Sequence, residues 1–305
     1  MEYFHSFSSQ DGITYSLDKM VIDFKLKVCS GGNFSSDLFL FLNWTPDITY
    51  DHWETRKIGN FHDQFTFSCS HGNSFWMGVG LNSSGRVINR VRLEFNPNKV
   101  GNDYTFVRVF NRLLTLSSRH PCFVRFDLAV DIPVLRENVF LIKDARLYEE
   151  CRYSKSNRTQ YLGARNKPGR CKLYNKQIES NLDFPLTRFE ITVSGDDMSP
   201  SAVSSMWPKI VIVDDMQMAF DIFSFVGIDR FIFLALMECP ELVSELTRDK
   251  KKKFERILQQ YTRTLSFDIQ LYREIIHSLG TFSQLLPVNY AFDPFLGYMD
   301  SFDEI

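Results

Sequence analysis

The sequence has no long apolar segment. Its longest run of apolar residues, 231–237, contains seven residues and lies between Arg230 and Glu238, whereas a helix that spans a bilayer needs about 18. Residues 1–3 contain no basic segment followed by an apolar one, so no signal peptide is expected. These absences predict a cytoplasmic protein that does not enter a membrane.

Sequence signatures of disulfides, zinc and ATP are missing as well. The six cysteines form no Cys-x-x-Cys pair, so we expect free thiols in a reducing compartment rather than disulfides or a zinc site. The six histidines form no His-x-His pair, so a metal site would have to be built from carboxylates. No Gly-x-x-x-x-Gly-Lys-Ser/Thr segment is present, which disfavours ATP binding through a phosphate loop.

The residues that are present favour a sheet-rich domain. The chain of 305 residues is 44% hydrophobic and contains 29 phenylalanines, which pack well on strands. Polar–apolar alternation begins at residue 22, after an arm over residues 1–18 that we expect to be loosely ordered. An amphipathic pattern predicts a helix over residues 104–118. Strands are predicted over residues 22–28, 65–68, 75–81, 87–95, 123–131, 160–165, 171–178 and 186–193.

The pattern changes after residue 193. Residues 194–200 are polar, and they are followed by helical periodicity. The sequence therefore predicts an α+β domain over residues 1–195 and a mostly helical region over residues 196–305. The helices of that second region are predicted over residues 214–225, 228–239, 241–258 and 268–279.

Positive charge is concentrated between residues 151 and 177, a segment that we call the basic strip. It contains eight Lys or Arg and no Asp or Glu, so it carries +8 and leaves −10 on the rest of a chain whose formal net charge is −2. Such a strip favours a phosphate-rich partner, and Tyr153, Tyr161 and Tyr174 add rings on which bases can stack. The alternative is a solvated basic hairpin.

One tyrosine of the basic strip, Tyr174, lies between two lysines that could activate it as a nucleophile. If residues 171–178 form a strand, Lys172, Tyr174 and Lys176 share one face. Nearby cations favour the phenolate, so we expect a lowered phenol pKa and a nucleophilic oxygen at Tyr174. The alternative is an ordinary sheet tyrosine with a solvated hydroxyl.

Acidic residues recur on one face of the neighbouring predicted strands. Arg125, Asp127 and Asp131 share a face, and two carboxylates there need a cation, which is either a divalent ion or Arg125. Arg and Glu also alternate at Arg188 and Glu190, and at residues 92 and 94. This face is either a structural salt-bridge lattice or the floor of a site for phosphoryl transfer.

Two motifs in this region resemble a known family. Tyr-Leu-Gly-Ala-Arg at residues 161–165, followed by Lys-Leu-Tyr-Asn-Lys at residues 172–176, resembles the signature of the Rep_trans plasmid replication initiators. That signature is Tyr-x-Gly-Ser-Arg and then Arg-Ile-Tyr-Asn-Lys. The Arg-x-Asp-x-x-x-Asp run from Arg125 and the Arg-x-Glu pair at Arg188 are also similar, and the resemblance covers residues 90–193. The sequence departs from the family at Ala164, Lys172 and residues 168–169.

The resemblance implies both a fold and a reaction. The fold is an antiparallel β-sheet catalytic core with flanking helices, a replication-initiator fold of HUH type without the histidine pair, in which residues 159–193 form the catalytic hairpin. The reaction is site-specific DNA nicking and joining that initiates rolling-circle replication, with Tyr174 forming a 5′-phosphotyrosyl intermediate beside Mg²⁺ or Mn²⁺. The implied partners are double-strand origin DNA, a second copy of the chain and a host helicase, in a prokaryotic cytoplasm.

Candidate site residues follow from these patterns. For the metal we select Asp127 and Glu190 first, then Asp131 and Glu94. For stabilising the phosphate we select Arg188 and Lys176. Candidate DNA-binding residues are Arg165, Lys167, Arg170 and Lys172 in the basic strip, and Lys251, Lys252, Lys253 and Arg256 in the helical region.

The sequence leaves other functions open. A relaxase of a conjugative element or a phage nicking protein would use the same chemistry. A non-catalytic DNA-binding protein would use Tyr174 only for stacking. For the lysine-rich segment 250–253, the alternative to DNA binding is that it forms the solvated face of a helix.

Overall fold

A computed structural model describes residues 6–9, 11–27, 36–43, 45–84, 86–154, 156–213 and 226–282. The fold is α+β, as predicted, with a large antiparallel sheet and several helices. None of the helices in these ranges is long and apolar enough to cross a membrane.

Eleven antiparallel strands form the main sheet, and three more form a small sheet. The strands are β1 (Phe7–Ser8), β2 (Thr14–Lys25), β3 (Tyr50–Glu54), β4 (Phe61–Ser68), β5 (Ser74–Ser83), β6 (Arg86–Phe95), β7 (Cys122–Ile132), β8 (Val139–Leu141), β9 (Tyr148–Arg152), β10 (Arg158–Leu162), β11 (Cys171–Asn175), β12 (Thr187–Ser194), β13 (Ile210–Val213) and β14 (Thr262–Thr264). The main sheet has the order β3-β4-β5-β6-β2-β7-β12-β11-β10-β9, with β1 paired to β2, and the small sheet has the order β14-β13-β8.

Helices connect these strands and cover the main sheet. They are α1 (Ser36–Asn43), α2 (Pro97–Val100), α3 (Tyr104–Leu116), α4 (Lys176–Ser180), α5 (Pro200–Met206), α6 (Ile228–Glu238), α7 (Arg248–Tyr261) and α8 (Ile269–Phe282). Predicted helices over 104–118, 228–239 and 268–279 are thereby confirmed. The predicted helix over 214–225 lies outside the described residues.

The two faces of the main sheet differ in chemistry. One face is apolar, and α3 packs on it with Phe106 against Phe75 (5.2 Å between ring centroids) and Phe95 (4.5 Å), and with Phe110 against Phe24 (5.6 Å). Burying one such side chain contributes about 1.5–3 kcal/mol. The opposite face carries the charged residues of β7, β11 and β12, so the helices leave it open for a site.

The start of α3 is fixed by a capping aspartate. Asp103 accepts hydrogen bonds from the backbone N–H of Thr105 (2.9 Å) and of Ser70 (2.8 Å), which ties the helix to the turn after β4. We expect Asp103→Ala to lower the free energy of unfolding by about 1–2 kcal/mol in urea titrations, since a lost cap costs that much. Asn102→Ala, at the exposed neighbour, is the control, and equal losses in both variants would refute the capping role.

The same cap predicts a pH dependence. Burial opposes ionisation of Asp103, but the hydrogen bonds from Ser70, Cys69 and Thr105 together outweigh it and lower the pKa of the carboxyl. A lowered folded-state pKa stabilises the fold above the unfolded pKa and loses this effect as pH falls through the folded value. The stability difference between wild type and Asp103→Ala is therefore expected to shrink below about pH 4.

Two predictions about local structure were wrong. Residues 14–18, expected in a loose arm, form part of β2, which lies in the middle of the sheet and buries Tyr15 and Leu17. The strand predicted over 171–178 ends at Asn175, because the Asn175 side chain accepts a hydrogen bond from the backbone N–H of Ile178 (2.9 Å) and caps α4.

The region after residue 195 is not purely helical. It contributes β13 and β14, which pair with each other and, through β13, with β8 of the first region. It also contributes α8 to the main core, and just before α8 the backbone N–H of Asp268 donates a hydrogen bond to the Tyr15 hydroxyl of β2 (3.1 Å). Contacts of this kind join the two predicted regions.

Candidate active site

Strand register brings Tyr174 into line with the acidic face. Across β11, β12 and β7, Tyr174 pairs with Arg188, and Arg188 pairs with Asp131. Paired residues point to the same face of a sheet. The open face of the sheet therefore presents the predicted tyrosine and the predicted charged residues together.

The hydroxyl of Tyr174 contacts one carboxylate directly. It donates a hydrogen bond to Oε1 of Glu190 over 2.7 Å. The ammonium of Lys172 lies 3.7 Å from the centre of the Tyr174 ring and 3.8 Å from Oε2 of Glu190. The phenol, one carboxylate and one cation thus form a compact group, in which the tyrosine is only 6% exposed.

The expected lowering of the Tyr174 pKa is wrong. Burial raises the pKa of the phenol, and the negative charge and hydrogen bond of Glu190 raise it further, while Arg188 acts in the opposite direction. The expected flanking lysine Lys176 lies on α4, where it pairs with Glu179 rather than with the phenol. Tyr174 is therefore held protonated, and its activation requires a base.

Arg188 is clamped by two aspartates. Its Nε and Nη2 donate to the two oxygens of Asp131, each over 2.7 Å, and its Nη1 donates to Asp18 over 2.9 Å. Burial by itself would lower the pKa of the guanidinium, but the bonds to Asp131 raise it above the usual value. Because its N–H groups face carboxylates, Arg188 fixes the position of β12 relative to β7 and β2.

Among the four predicted metal ligands, Asp127 makes no ion pair with another described residue, and Glu190 makes only the 3.8 Å contact with Lys172. Asp127 accepts a hydrogen bond from the Thr192 hydroxyl (2.7 Å), and Glu190 lies opposite the small residue Ala129. Burial raises the pKa of both carboxyls, while Lys172 opposes the shift at Glu190. Two largely buried carboxylates that resist ionisation favour the binding of a cation between them.

The predicted metal ligands are only partly brought together. Glu94 pairs with Lys19 (2.7 Å), and both oxygens of Asp131 accept from Arg188. Among the residues that the structure describes, no three of the four predicted acids bring oxygens within 4.8 Å of one another. Asp127 and Glu190 nevertheless fit Mg²⁺ or Mn²⁺, which bind to proteins through one or two carboxylates and keep several waters.

A cleft of about 570 Å³ opens beside this group. Its floor includes Asp127, Glu190 and Lys172, and its rim includes Arg165 and Arg170. Tyr174 is not part of the lining, because Lys172 and Glu190 lie between the phenol and the cleft. Contact between a phosphate in the cleft and the phenol therefore requires the Lys172 side chain to move aside.

The rim belongs to the connection between β10 and β11, residues 163–170, which we call the cationic loop. Gly163 (φ +93°) begins it, and an added Cβ there would lie 3.2 Å from Cα of Arg170. The loop is anchored on β12, because the backbone N–H of Gly169 donates to the carbonyl of Thr192 (2.8 Å). Arg165 and Lys167 are exposed on this anchored loop.

Not every cation of the basic strip faces solvent. Arg158 is 6% exposed and lies over the ring of Phe140, 4.6 Å from its centre. A second arginine, Arg136, is only 1% exposed. Its guanidinium donates hydrogen bonds to the Gln160 side chain (2.8 Å) and to the carbonyl of Val139 (2.6 Å). Burial lowers the pKa of Arg136 to about 9. This pair holds β8 against β10 and belongs to the structural core.

The lysine-rich helix α7 packs through its apolar side. Phe254, Leu258 and Tyr261 are buried in a second hydrophobic cluster, while Lys252 and Arg256 are exposed. Lys253 pairs with Asp229 of α6. The geometry is that of a surface helix, and DNA binding by Lys251, Lys252, Lys253 and Arg256 stays a prediction.

Sequence analysis missed Asp18 and Lys19 as site residues. A β-bulge between Leu17 and Lys19 turns both side chains to the polar face, where Asp18 binds Arg188 and Lys19 lines the cleft. Asp18 was placed at the end of the loose arm, and Lys19 lies between that arm and the predicted strand. A bulge adds one residue to a strand and has no reliable sequence signal here.

Comparisons with known proteins give a structural likeness. No family model matches the chain, and no curated protein matches it. The structure of a rolling circle replication initiator protein from Geobacillus stearothermophilus is similar, with 16% sequence identity, 60% of this chain and 75% of that chain covered, and a TM-score of 0.36.

Proposed function

We propose that the protein nicks and rejoins a DNA strand by covalent catalysis at Tyr174. The observation that carries this proposal is the 2.7 Å hydrogen bond from the Tyr174 hydroxyl to the buried carboxylate of Glu190, on the wall of a cleft rimmed by cations. A nucleophile within hydrogen-bond reach of a general base is the arrangement that covalent catalysis needs. The motif resemblance to the Rep_trans initiators supports the same chemistry.

The proposed step is a transesterification at phosphorus. As the Tyr174 oxygen bonds to phosphorus, its proton passes to Glu190 Oε1 and the bond between phosphorus and the 3′ oxygen breaks. The 3′ oxygen leaves as a hydroxyl after taking a proton from solvent, and the 5′ phosphate stays on Tyr174. The reverse reaction rejoins the strand, so no ATP is required. Burial raises the pKa of Glu190, which brings this base closer to the operating pH.

Charge on the phosphate is balanced by the surrounding cations. Lys172 lies 3.7 Å from the centre of the Tyr174 ring, and Arg125 and Lys19 line the cleft together with Asp127. A divalent ion held by Asp127 and Glu190 would polarise a phosphate oxygen. Arg188 is a positioning residue in this proposal, because its contacts are to Asp131 and Asp18.

The wider context of the reaction is part of the same proposal. Initiation of rolling-circle replication at a double-strand origin, action as a homodimer and cooperation with a host helicase agree with the motif resemblance. A relaxase or a phage nicking protein differs in its DNA target and not in the chemistry. Sequencing the DNA that becomes attached to the protein identifies the target.

The proposal is tested by capturing the covalent product. The protein is incubated with Mn²⁺ and single-stranded oligonucleotides that carry a randomised centre and a label at either the 5′ or the 3′ end. We expect a band that resists denaturation and keeps the 3′ label only, since the 5′ phosphate stays on Tyr174. Mass spectrometry should place the nucleotide on the peptide that contains Tyr174. DNA binding without any adduct would instead support a non-catalytic DNA-binding protein.

The cationic loop gives a prediction about binding. We expect the double variant Arg165→Ala/Lys167→Ala to weaken single-stranded DNA binding and to reduce the slope of log K against log salt by about 1.4, since two phosphate contacts are lost. Both side chains are exposed, so folding should be unchanged. The control is Arg56→Ala/Lys57→Ala, an exposed pair near the other end of the sheet. Equal slopes for the two double variants would exclude the cationic loop from the DNA path.

A further inference from the structure

Strand pairing brings histidines and acids together at the far end of the sheet. His52 and Glu54 lie on β3, and Asp63 and His62 lie on β4. Glu54 pairs directly with Asp63. One nitrogen of His52 and one oxygen each of Glu54 and Asp63 lie within 4.8 Å of one another.

The charges of this cluster call for a cation. Asp63 is buried, and its two oxygens face imidazoles: Nε2 of His52 at 3.0 Å and Nδ1 of His62 at 3.1 Å. Within the described ranges, neither Asp63 nor Glu54 has a Lys or Arg in an ion pair. An imidazole adds positive charge only when it is protonated, so two neutral rings leave both carboxylate charges uncompensated. A divalent ion balances both carboxylates at once.

The ligands are held in position before any ion binds. The His52 ring stacks on Phe65 (centroids 4.6 Å apart, planes at 18°) and meets the edge of Phe39 at 5.9 Å. Asp63 is fixed from its other side by His62. Orientation of direct ligands by neighbouring groups in this way is a recurrent property of metal sites.

We propose that His52, Glu54 and Asp63 bind one divalent transition-metal ion of the zinc type. Zinc takes imidazole nitrogen at about 2.0–2.1 Å and carboxylate oxygen at about 2.0–2.2 Å in tetrahedral geometry. Ligand atoms around such an ion are about 3.3–3.5 Å apart, so the 3.0 Å between His52 Nε2 and Asp63 Oδ1 has to widen only slightly. The ion replaces the proton shared by His52 Nε2 and Asp63 Oδ1. Because Glu54 is exposed, water can occupy the fourth coordination position.

This site is separate from the proposed nicking centre. Six strand steps lie between β4 and β11, which corresponds to roughly 30 Å at about 4.8 Å per step. The ion would connect the edge strand β3, whose residues are mostly exposed, to β4. Its role is to fix this edge of the sheet, and the proposal does not depend on Tyr174 chemistry.

The test is a titration of the chelator-treated full chain with Co²⁺, whose visible spectrum reports tetrahedral coordination. We expect one ion per chain with a tetrahedral spectrum, displaced by Zn²⁺. Affinity should fall more than about 100-fold in His52→Ala and Glu54→Gln, and about 10- to 100-fold in His62→Ala. Glu54 is exposed, so Glu54→Gln should fold normally.

Matched controls separate this site from other ligands. His71→Ala and Glu255→Gln remove an exposed histidine and an exposed glutamate elsewhere, and Asp127→Asn removes the predicted metal ligand of the cleft. All three should keep the tetrahedral spectrum and the wild-type affinity. Absence of tetrahedral binding in the wild type, or wild-type affinity in His52→Ala and Glu54→Gln, would overturn the proposal.

Discussion

Replacing Tyr174 with Phe is expected to abolish covalent DNA cleavage, with a loss of roughly 10⁴-fold or more, down to the background rate. The change removes only the oxygen that attacks phosphorus, and the ring that packs under Lys172 stays. Cleavage is measured as the rate at which 3′-labelled oligonucleotide becomes attached to the protein. DNA affinity, measured by filter binding, should change little.

Tyr153→Phe is the matched control for this prediction. Tyr153 belongs to the same basic strip and is 86% exposed, so it has equal access to DNA but no contact with Glu190. Wild-type cleavage is expected in this variant. If Tyr174→Phe cleaves as fast as the wild type, or if the adduct maps to Tyr153, Tyr174 is not the nucleophile.

Replacing Glu190 with Gln is expected to slow cleavage by about 10²- to 10⁴-fold, the usual contribution of a general base. Glutamine can still accept the hydrogen bond from Tyr174, but it cannot take up the proton during attack. If Glu190 also holds the divalent ion, the loss lies at the upper end of this range. Single-turnover rates at saturating DNA measure the chemical step separately from binding.

Stability distinguishes a catalytic Glu190 from a structural one. Burial raises the pKa of this carboxyl, so the ionised form destabilises the fold at neutral pH. For a raised carboxyl pKa, stability increases as pH falls through the folded value towards the unfolded value. Glu190→Gln should therefore be as stable as the wild type or more stable. Glu149→Gln, which changes another acid of the cleft lining, is the control for activity. Unfolding of Glu190→Gln, or unchanged cleavage by it, would contradict the assignment.

Much of the local structure was predictable because it depends on short-range patterns. Alternation over residues 123–131 and 186–193 correctly predicted β7 and β12, and it placed Asp127, Asp131, Arg188 and Glu190 on one face of each strand. Helical spacing predicted α3. In each case the pattern is the period of the element itself, two residues for a strand and 3.6 for a helix.

Contacts between distant segments were not predictable in the same way. The sequence placed Arg and acidic residues on one face of several strands, but it did not specify which of them pair. The structure pairs Arg188 with Asp131, Arg92 with Asp23 and Lys19 with Glu94. These partners are set by strand order and register, which a single sequence does not specify. The reversed direction of the Tyr174 pKa shift has the same origin, because its causes are burial in the folded protein and then the contact with Glu190 on another strand.

The sequence by itself determined the sheet-forming segments, the concentration of positive charge and the candidate nucleophile, since all three depend on residues close together in the chain. Only the tertiary structure decided which groups meet: the phenol with Glu190, the bulged Asp18 with Arg188, and His52 with Asp63. The physical reason is that side-chain chemistry acts over a few ångströms, whereas these partners are separated by 11 to 170 residues along the chain and become neighbours only through strand pairing.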